Sequence, residues 1–283
     1  MKTRTAFLTA TICLLFCCPA NAGSLSEWNA AQGLYDSTNE NVLSIGPTFH
    51  TLLYDSEYHP SVRILMVGAV LSYVHQGITG LYAGVDLEYA AGDHDGNEDG
   101  VRFTTDLRTA GAQARIGYRD IYGERIAVTP HIGLGYRWMD QEMEEKAGAA
   151  LMDATHDLVF ASVGVNIAPP AEYSHGWAWT ARAEARIGLS GSTDARMPRV
   201  VTYPTKYEAD YGLADRYGLK ADIGVRKKVH SAVAVRGDVF GSWWRAREVD
   251  ADFLQFGTWV PGRIAAFDEF TYGILISVEF LAF

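Results

Sequence analysis

The residues from Ile126 to Trp138 alternate between two kinds of side chain, and no other feature of the chain constrains its fold as much. Every second residue is apolar or aromatic: Ile126, Val128, Pro130, Ile132, Leu134, Tyr136 and Trp138. The residues between them are small or polar. A period of two is typical of a β-strand with one apolar and one polar face. In a soluble sheet the apolar face turns inward, whereas in a membrane barrel it turns outward toward lipid.

Two later segments repeat this alternation and place charges on the polar face. Between Trp177 and Leu189 the charged face carries Arg182, Glu184 and Arg186. Between Tyr217 and Val225 it carries Lys220 and Asp222, next to Arg216. A soluble core does not enclose so many charges without partners. The pattern therefore favours a membrane barrel with a charged lumen. Its alternative is a soluble β-sandwich, and extraction of the protein into buffer without detergent would support that alternative.

The whole chain reads as an all-β protein, a transmembrane antiparallel up-and-down β-barrel of about ten strands within a range of roughly eight to twelve. The odd-numbered connections are loops, most of them long, and the even-numbered ones are short turns, as in a barrel with both ends in the periplasm. Pro47 either weakens the assignment of the first strand or implies a bulge, because proline cannot donate to the ladder. We expect a bulge between Thr109 and Gly111, where strand parity changes. The predicted strands cover Val42–Tyr54, Val62–His75, Leu81–Tyr89, Val101–Arg119, Ile126–Trp138, Leu158–Ala168, Trp177–Ser190, Tyr217–Val225, Val233–Trp243 and Phe270–Phe283.

The chain begins with an export signal. Residues 1–22 have a basic start, an apolar run and the small-residue cleavage site Ala20-Asn21-Ala22. All three cysteines, Cys13, Cys17 and Cys18, fall in this segment, so the exported chain is not a disulfide scaffold. Its removal leaves 22 basic against 34 acidic residues, a net charge near −12, which argues against nucleic acid as a partner. We assign residues 23–40 to a pre-barrel segment and residues 41–283 to the barrel.

Aromatic residues at the strand ends predict two girdles at the membrane interfaces, and outer-membrane lipid as the surrounding partner. The outer girdle is Tyr89, Trp138, Tyr217 and Trp243, and the periplasmic girdle is Tyr118, Trp177 and Trp179.

The inward-facing charges are the main candidate functional residues. They either line a narrow pore for small solutes or ions, or fill the lumen with salt bridges, because side chains can fill small barrels. We favour the filled lumen and place His131 in the same network. The set comprises Asp86, Glu88, Arg115, Arg119, Arg137, Arg182, Glu184, Arg186, Arg216, Lys220, Asp222, Arg226, Arg236 and Asp238.

With its Ala20-Asn21-Ala22 signal, its alternating strands and its C-terminal Phe283, the chain resembles the small outer-membrane β-barrels of Gram-negative bacteria. The resemblance implies an outer-membrane location and recognition of Phe283 by the barrel-assembly machinery. The ending departs from the usual pattern, because Ser277 and Glu279 stand on the parity of Phe283 where apolar residues are expected. A bulge between Phe280 and Ala282 would reconcile the two parities.

Ten strands with five outer loops also resemble the omptin proteases. That resemblance implies a carboxylate pair in the second loop, where Asp93 and Asp95 stand, and an Asp–His pair in the fourth. The fourth loop, residues 191–214, has Asp194, Glu208 and Asp210 but no histidine to activate water. The sequence therefore establishes no enzymatic centre, and an omptin-like protease ranks third among the functions, behind a structural or surface-interaction barrel and a narrow porin-like channel.

The second loop also has a weak likeness to a calcium site. Asp93, Asp95 and Asn97 match the first oxygen ligands of a calcium loop, but Glu98 and Thr104 replace its glycine and its bidentate glutamate. We therefore expect no metal and no cofactor. Acidic outer loops could contact an extracellular ligand or a host surface. Their residues are Asp93, Asp95, Glu98, Asp99, Glu142, Glu144, Glu145, Glu248, Asp250 and Asp252.

Overall fold

The structure, a computed structural model, describes residues 40–56, 59–77, 79–98, 101–122, 126–145, 150–169, 176–196, 206–255 and 257–282. The predicted signal segment, almost all of the pre-barrel segment and Phe283 lie outside the described residues. Within the described ranges, no helix is long and apolar enough to span a membrane.

The described residues form thirteen antiparallel strands in one sheet. Neighbours in the chain pair in order from β1 to β7. Their bounds are β1 (Glu40–Ser56), β2 (His59–Gln76), β3 (Gly80–Glu98), β4 (Val101–Tyr122), β5 (Ile126–Glu145), β6 (Ala150–Ala168), β7 (Trp177–Arg196), β8 (Lys206–Tyr211), β9 (Arg216–His230), β10 (Val233–Ala246), β11 (Val249–Gln255), β12 (Thr258–Ile264) and β13 (Phe267–Ala282).

Ten of these strands close into a barrel. The first strand pairs with the last, β13, which pairs with β10, and β10 pairs with β9. The ring closes where β9 pairs with β7. The predicted ten-strand antiparallel barrel is therefore confirmed. The other three strands, β8, β11 and β12, extend the sheet from the outer end of β7.

The outer connections are shorter than predicted, because the strands continue past the girdle residues. The segment from Asp93 to Glu98 belongs to β3, and β5 and β6 together cover most of the predicted acidic loop at residues 140–156. Above the membrane the outward face of such a strand meets water instead of lipid. These segments therefore lack the apolar stripe that identifies a strand in sequence.

The predicted bulges are wrong. Residue pairing is continuous through Ala110, and at Pro47 it is continuous with β2. Between β1 and β13 the pairing is interrupted at Gly46 and Pro47, but the same register resumes at Thr48, and the pairs Leu43 with Phe280 and Val42 with Leu281 also keep it. The change of parity in β4 instead reflects the lumen, because Leu107 is apolar and faces inward on the same parity as Arg115. A register shift does occur in β7, where Ser190 pairs with Val159 and Gly188 pairs with Phe160.

The barrel has an apolar outside and a layered inside. Ile132 and Leu134 on β5 are 54% and 60% exposed, whereas His131 between its neighbours is 1% exposed. The lumen is charged in its periplasmic part. Toward its outer end, β1 to β5 contribute a buried apolar layer made of Leu52, Ile64, Met66, Ala90, Leu107 and Met139.

Candidate functional site

Glu184 on β7 is the centre of the lumenal charges, and its side chain is fully buried. Arg186 donates to its Oε2 at 3.0 Å, and Arg115 donates to its Oε1 at 3.2 Å. Gln113 also donates to the carboxylate at 3.2 Å, and the His131 Nε2 lies 3.3 Å from Oε1. These partners come from β4, β5 and β7, so the carboxylate connects side chains of three strands inside the lumen.

A chain of ion pairs runs from this centre around the wall. Arg115 contacts Asp86 on β3 at 2.6 Å, and Arg182 contacts the same carboxylate at 3.4 Å. Arg182 also donates to Asp222 on β9 at 2.7 Å. The opposite charges alternate along this path, so each guanidinium is within reach of a carboxylate and the lumen is largely neutralised by its own side chains.

The last strand supplies two carboxylates to this network. Glu279 lies 2.7 Å from Arg226 and 3.8 Å from Arg236, while Asp238 lies 2.7 Å from Arg236. Higher in the lumen, Glu269 accepts two hydrogen bonds from Arg137, at 2.6 and 2.9 Å. Sequence reasoning missed both glutamates as lumenal residues. Glu279 could have been identified from the alternation of the strand, because it lies on the same face as Ser277 and on the opposite face to the lipid-facing Phe280.

Aromatic rings join the charged part of the lumen to the apolar layer. Phe160 and Trp244 meet edge to face, with ring centroids 5.4 Å apart, and both are buried. The Arg186 guanidinium lies 5.1 Å from the Phe160 ring and 5.8 Å from the Trp244 ring. Arg216 is higher still, stacked 4.1 Å from the Tyr211 ring. The guanidiniums of Arg186 and Arg216 thus pack against the aromatic rings in the upper part of the lumen.

A cavity of 540 Å³ occupies the lumen below this layer. Its walls reach from the periplasmic strand ends, at Val42, Gln76 and Lys228, up to Leu52 and Trp244. Twelve of the fourteen charged residues singled out by sequence line this cavity. They are Asp86, Glu88, Arg115, Arg119, Arg137, Arg182, Arg186, Lys220, Asp222, Arg226, Arg236 and Asp238.

The predicted girdle residues lie at two levels on the barrel. At the outer level Tyr217 meets Trp243 edge to face at 5.7 Å, and Trp243 donates a hydrogen bond of 2.9 Å to Asp268. Tyr89 is exposed and Trp138 half-buried. At the periplasmic level Tyr118 and Trp177 are exposed and Trp179 is half-buried; the Lys227 ammonium lies 4.7 Å from the Trp177 ring.

The calcium candidates and the first carboxylate pair of the protease candidate lie on an extended strand. Asp93 and Asp95 are exposed on β3, and Asp93 pairs with Leu65, which is also exposed. Because a strand rises about 3.3 Å per residue, positions 93, 95 and 97 cannot curl around one cation. Within the described ranges, no cluster of three His, Cys, Asp or Glu residues could hold a metal ion. The Asp pair also lies on the exposed outer face of β3, away from the lumen.

Ion pairs of a different kind hold the outer sheet extension. Lys206 on β8 bridges Glu208 and Asp194, and the hydrogen bonds to these two raise the pKa of the ammonium above its ordinary value. Burial raises the pKa of Tyr207 to about 12, and its ring lies 5.7 Å from Phe253 on β11. This packing fixes β11 against β8 above the membrane.

Comparison with known proteins agrees with this geometry. The fold is similar to that of the outer membrane protease OmpT from Escherichia coli, with a TM-score of 0.56 and 8% identity over 87% of this chain and 97% of that one. The NalP autotransporter translocator domain from Neisseria meningitidis aligns with a TM-score of 0.44 and 10% identity, over 92% and 98% of the two chains. Ail from Yersinia pestis aligns with a TM-score of 0.34 and 9% identity, over 86% of this chain and 99% of that one.

No curated protein sequence matches the chain. At 8% identity, the likeness to OmpT shows the fold alone. The autotransporter β-domain family, in contrast, matches residues 58–239, more than half of the sequence. The chain therefore belongs to the autotransporter β-domain family and is an outer-membrane β-barrel.

Proposed function

We propose that this barrel is non-conducting and has a structural or surface-interaction role in the outer membrane. The observation that carries the proposal is the apolar layer across the outer part of the lumen. Met66 is 0% exposed, and Ile64 and Leu107 are each 2% exposed. Side chains packed this closely leave no room for a column of water, and an ion without hydration water is costly to move through an apolar layer.

The ion pairs below the apolar layer also suit a lumen without conduction. Contacts such as Arg182 with Asp222 at 2.7 Å and Arg137 with Glu269 at 2.6 Å hold most of the charges in the cavity wall. A buried ion pair that loses one partner is strongly destabilised, so these side chains are not readily available to a passing ion. The closure itself is the apolar layer above them.

The outer surface supports the interaction role. Asp250 and Asp252 are exposed on β11, and the neighbouring β12 exposes Trp259 and Val260, 46% and 41% respectively. Acidic side chains beside an exposed tryptophan favour contact with a basic surface, because charge complementarity steers association and aromatic residues anchor it. We infer that an extracellular ligand or a host surface would bind at this rigid sheet.

We also propose that residues 1–22 are a cleaved export signal and that the barrel-assembly machinery reads Phe283. The family supports the export signal, since barrels of this class reach the outer membrane by export. The aromatic terminal residue supports the assembly signal, while Ser277 and Glu279 on its parity are buried in the lumen.

Conductance in planar lipid bilayers tests the closed lumen. We expect the purified barrel to give no steady single-channel steps, because the apolar layer blocks the path. The narrow pore remains the second candidate on the strength of the 540 Å³ cavity. Steady steps whose ion selectivity changes with Lys220→Glu would favour the pore over the proposal. Arg263→Glu, which makes the same charge change at a side chain 70% exposed on β12, is the matched control.

A further inference from the structure

Two opposite charges in the lumenal cavity stay apart although their neighbours are paired. Glu88 on β3 and Lys220 on β9 both line the cavity. Neither makes an ion pair within 4.0 Å or a side-chain hydrogen bond to any residue that the structure describes. Both groups therefore lie in the wall of one cavity without a direct contact to each other.

Two opposite charges arranged in this way suit a bound ligand that contacts both of them. A carboxylate and an ammonium that line a cavity gain most when each meets an opposite charge directly. Water can hydrate both, but a ligand with an ammonium and a carboxylate would satisfy both at once. Its ammonium would meet Glu88 and its carboxylate would meet Lys220. The other cations nearby do not compete, because Arg137 and Arg186 are already bound to Glu269 and Glu184.

The ceiling of the cavity adds an apolar requirement. Leu52, Ala90, Phe160 and Trp244 belong both to the cavity wall and to the buried apolar clusters above it. A ligand held by Glu88 and Lys220 would therefore place its remaining atoms against hydrocarbon and aromatic surface. The cavity volume of 540 Å³ falls within the range of about 300 to 1,000 Å³ that small-molecule sites occupy.

We propose that this cavity binds a small zwitterion with an apolar side chain, of the chemistry of an apolar α-amino acid. The ligand enters from the periplasmic end, where Val42, Gln76 and Lys228 form the lower walls. This site goes beyond the structural or surface-interaction role. A cavity closed from above can bind such a molecule without passing it through the membrane.

Calorimetric titration of the detergent-solubilised full-length barrel with L-leucine tests the site. We expect saturable binding, weakened about tenfold or more by Lys220→Met and by Glu88→Gln, because a hydrogen bond to a charged group contributes roughly 1.5–3 kcal/mol. Lys227→Met is the matched control. It removes a lysine from the same strand, but that lysine stacks on Trp177. Its affinity should equal that of the unmodified protein.

Two analogues test the same claim on the unmodified barrel and need no variant to fold. Leucine methyl ester lacks the carboxylate and 4-methylpentanoate lacks the ammonium, so each should bind about tenfold more weakly than L-leucine. Absence of saturable L-leucine binding would overturn the proposal. Equal affinity for all three compounds, or for the unmodified and substituted cavity, would also overturn it. Channel steps in a bilayer would contradict the non-conducting role and leave this result intact.

Discussion

Glu184→Gln should lower the free energy of unfolding by about 3–5 kcal/mol, the usual cost of removing one partner from a buried ion pair. Glu184 has no exposed side-chain surface and accepts contacts from Arg115, Arg186 and Gln113. The amide keeps the shape but loses the charge, and it turns an N–H group toward donors that already need acceptors. Two guanidiniums would then lose their shared counter-charge within a low-dielectric wall.

Urea unfolding in phospholipid vesicles, followed by tryptophan fluorescence, measures this change. Glu88→Gln is the matched control, because it makes the same substitution in the same lumen at a carboxylate without a direct partner. We expect that control to change the free energy of unfolding by less than about 1 kcal/mol. Equal effects of the two substitutions would mean that the ion pairs around Glu184 contribute little to stability.

Ile132→Arg should lower the free energy of unfolding by about 2–4 kcal/mol, the cost of an arginine at the middle of the lipid-facing surface of a barrel. Ile132 is 54% exposed and lies midway along the apolar face of β5. On this face the side chain meets lipid hydrocarbon, which cannot hydrate a guanidinium. The cost would fall toward the interfaces, where the long side chain can reach water.

The same unfolding experiment in vesicles tests the orientation of the wall. Val260→Arg provides the control, because Val260 is 41% exposed on β12 in the outer sheet extension, where the new charge remains in water. We expect a change of less than about 0.5 kcal/mol there. If Ile132→Arg were as harmless as Val260→Arg, β5 would not face lipid.

Period-two alternation was sufficient to predict the barrel, because within the membrane one face of each strand meets lipid and the other meets the lumen. The segment from Trp177 to Ile187 shows this, with Arg182, Glu184 and Arg186 on one face. The rule fails where the two environments become alike. Above the girdle the apolar layer puts Leu107 inside, so the face that was polar lower down becomes apolar, and the sequence suggests a bulge that the register excludes.

The pairing inside the lumen could not be predicted from sequence. Alternation assigns Arg137 and Glu184 to one face, but it does not say which strands face each other across the barrel. Glu269 on β13 pairs with Arg137 on β5, 132 residues away in the chain. The separation of Glu88 from Lys220 is likewise a property of the closed ring, since both residues look like ordinary lumenal charges in the sequence.

The two carboxylates of the final strand have a consequence for the order of assembly. Arg137, Arg226 and Arg236 precede β13 in the chain, yet their partners Glu269 and Glu279 belong to it. A partly inserted sheet that lacked β13 would leave Arg137 without the carboxylate that accepts its two hydrogen bonds, at the same moment as it exposed unpaired backbone edges. The docking of the last strand between β1 and β10 therefore supplies this counter-charge and the missing backbone pairing in one step. We expect this coupling to disfavour insertion of an open sheet.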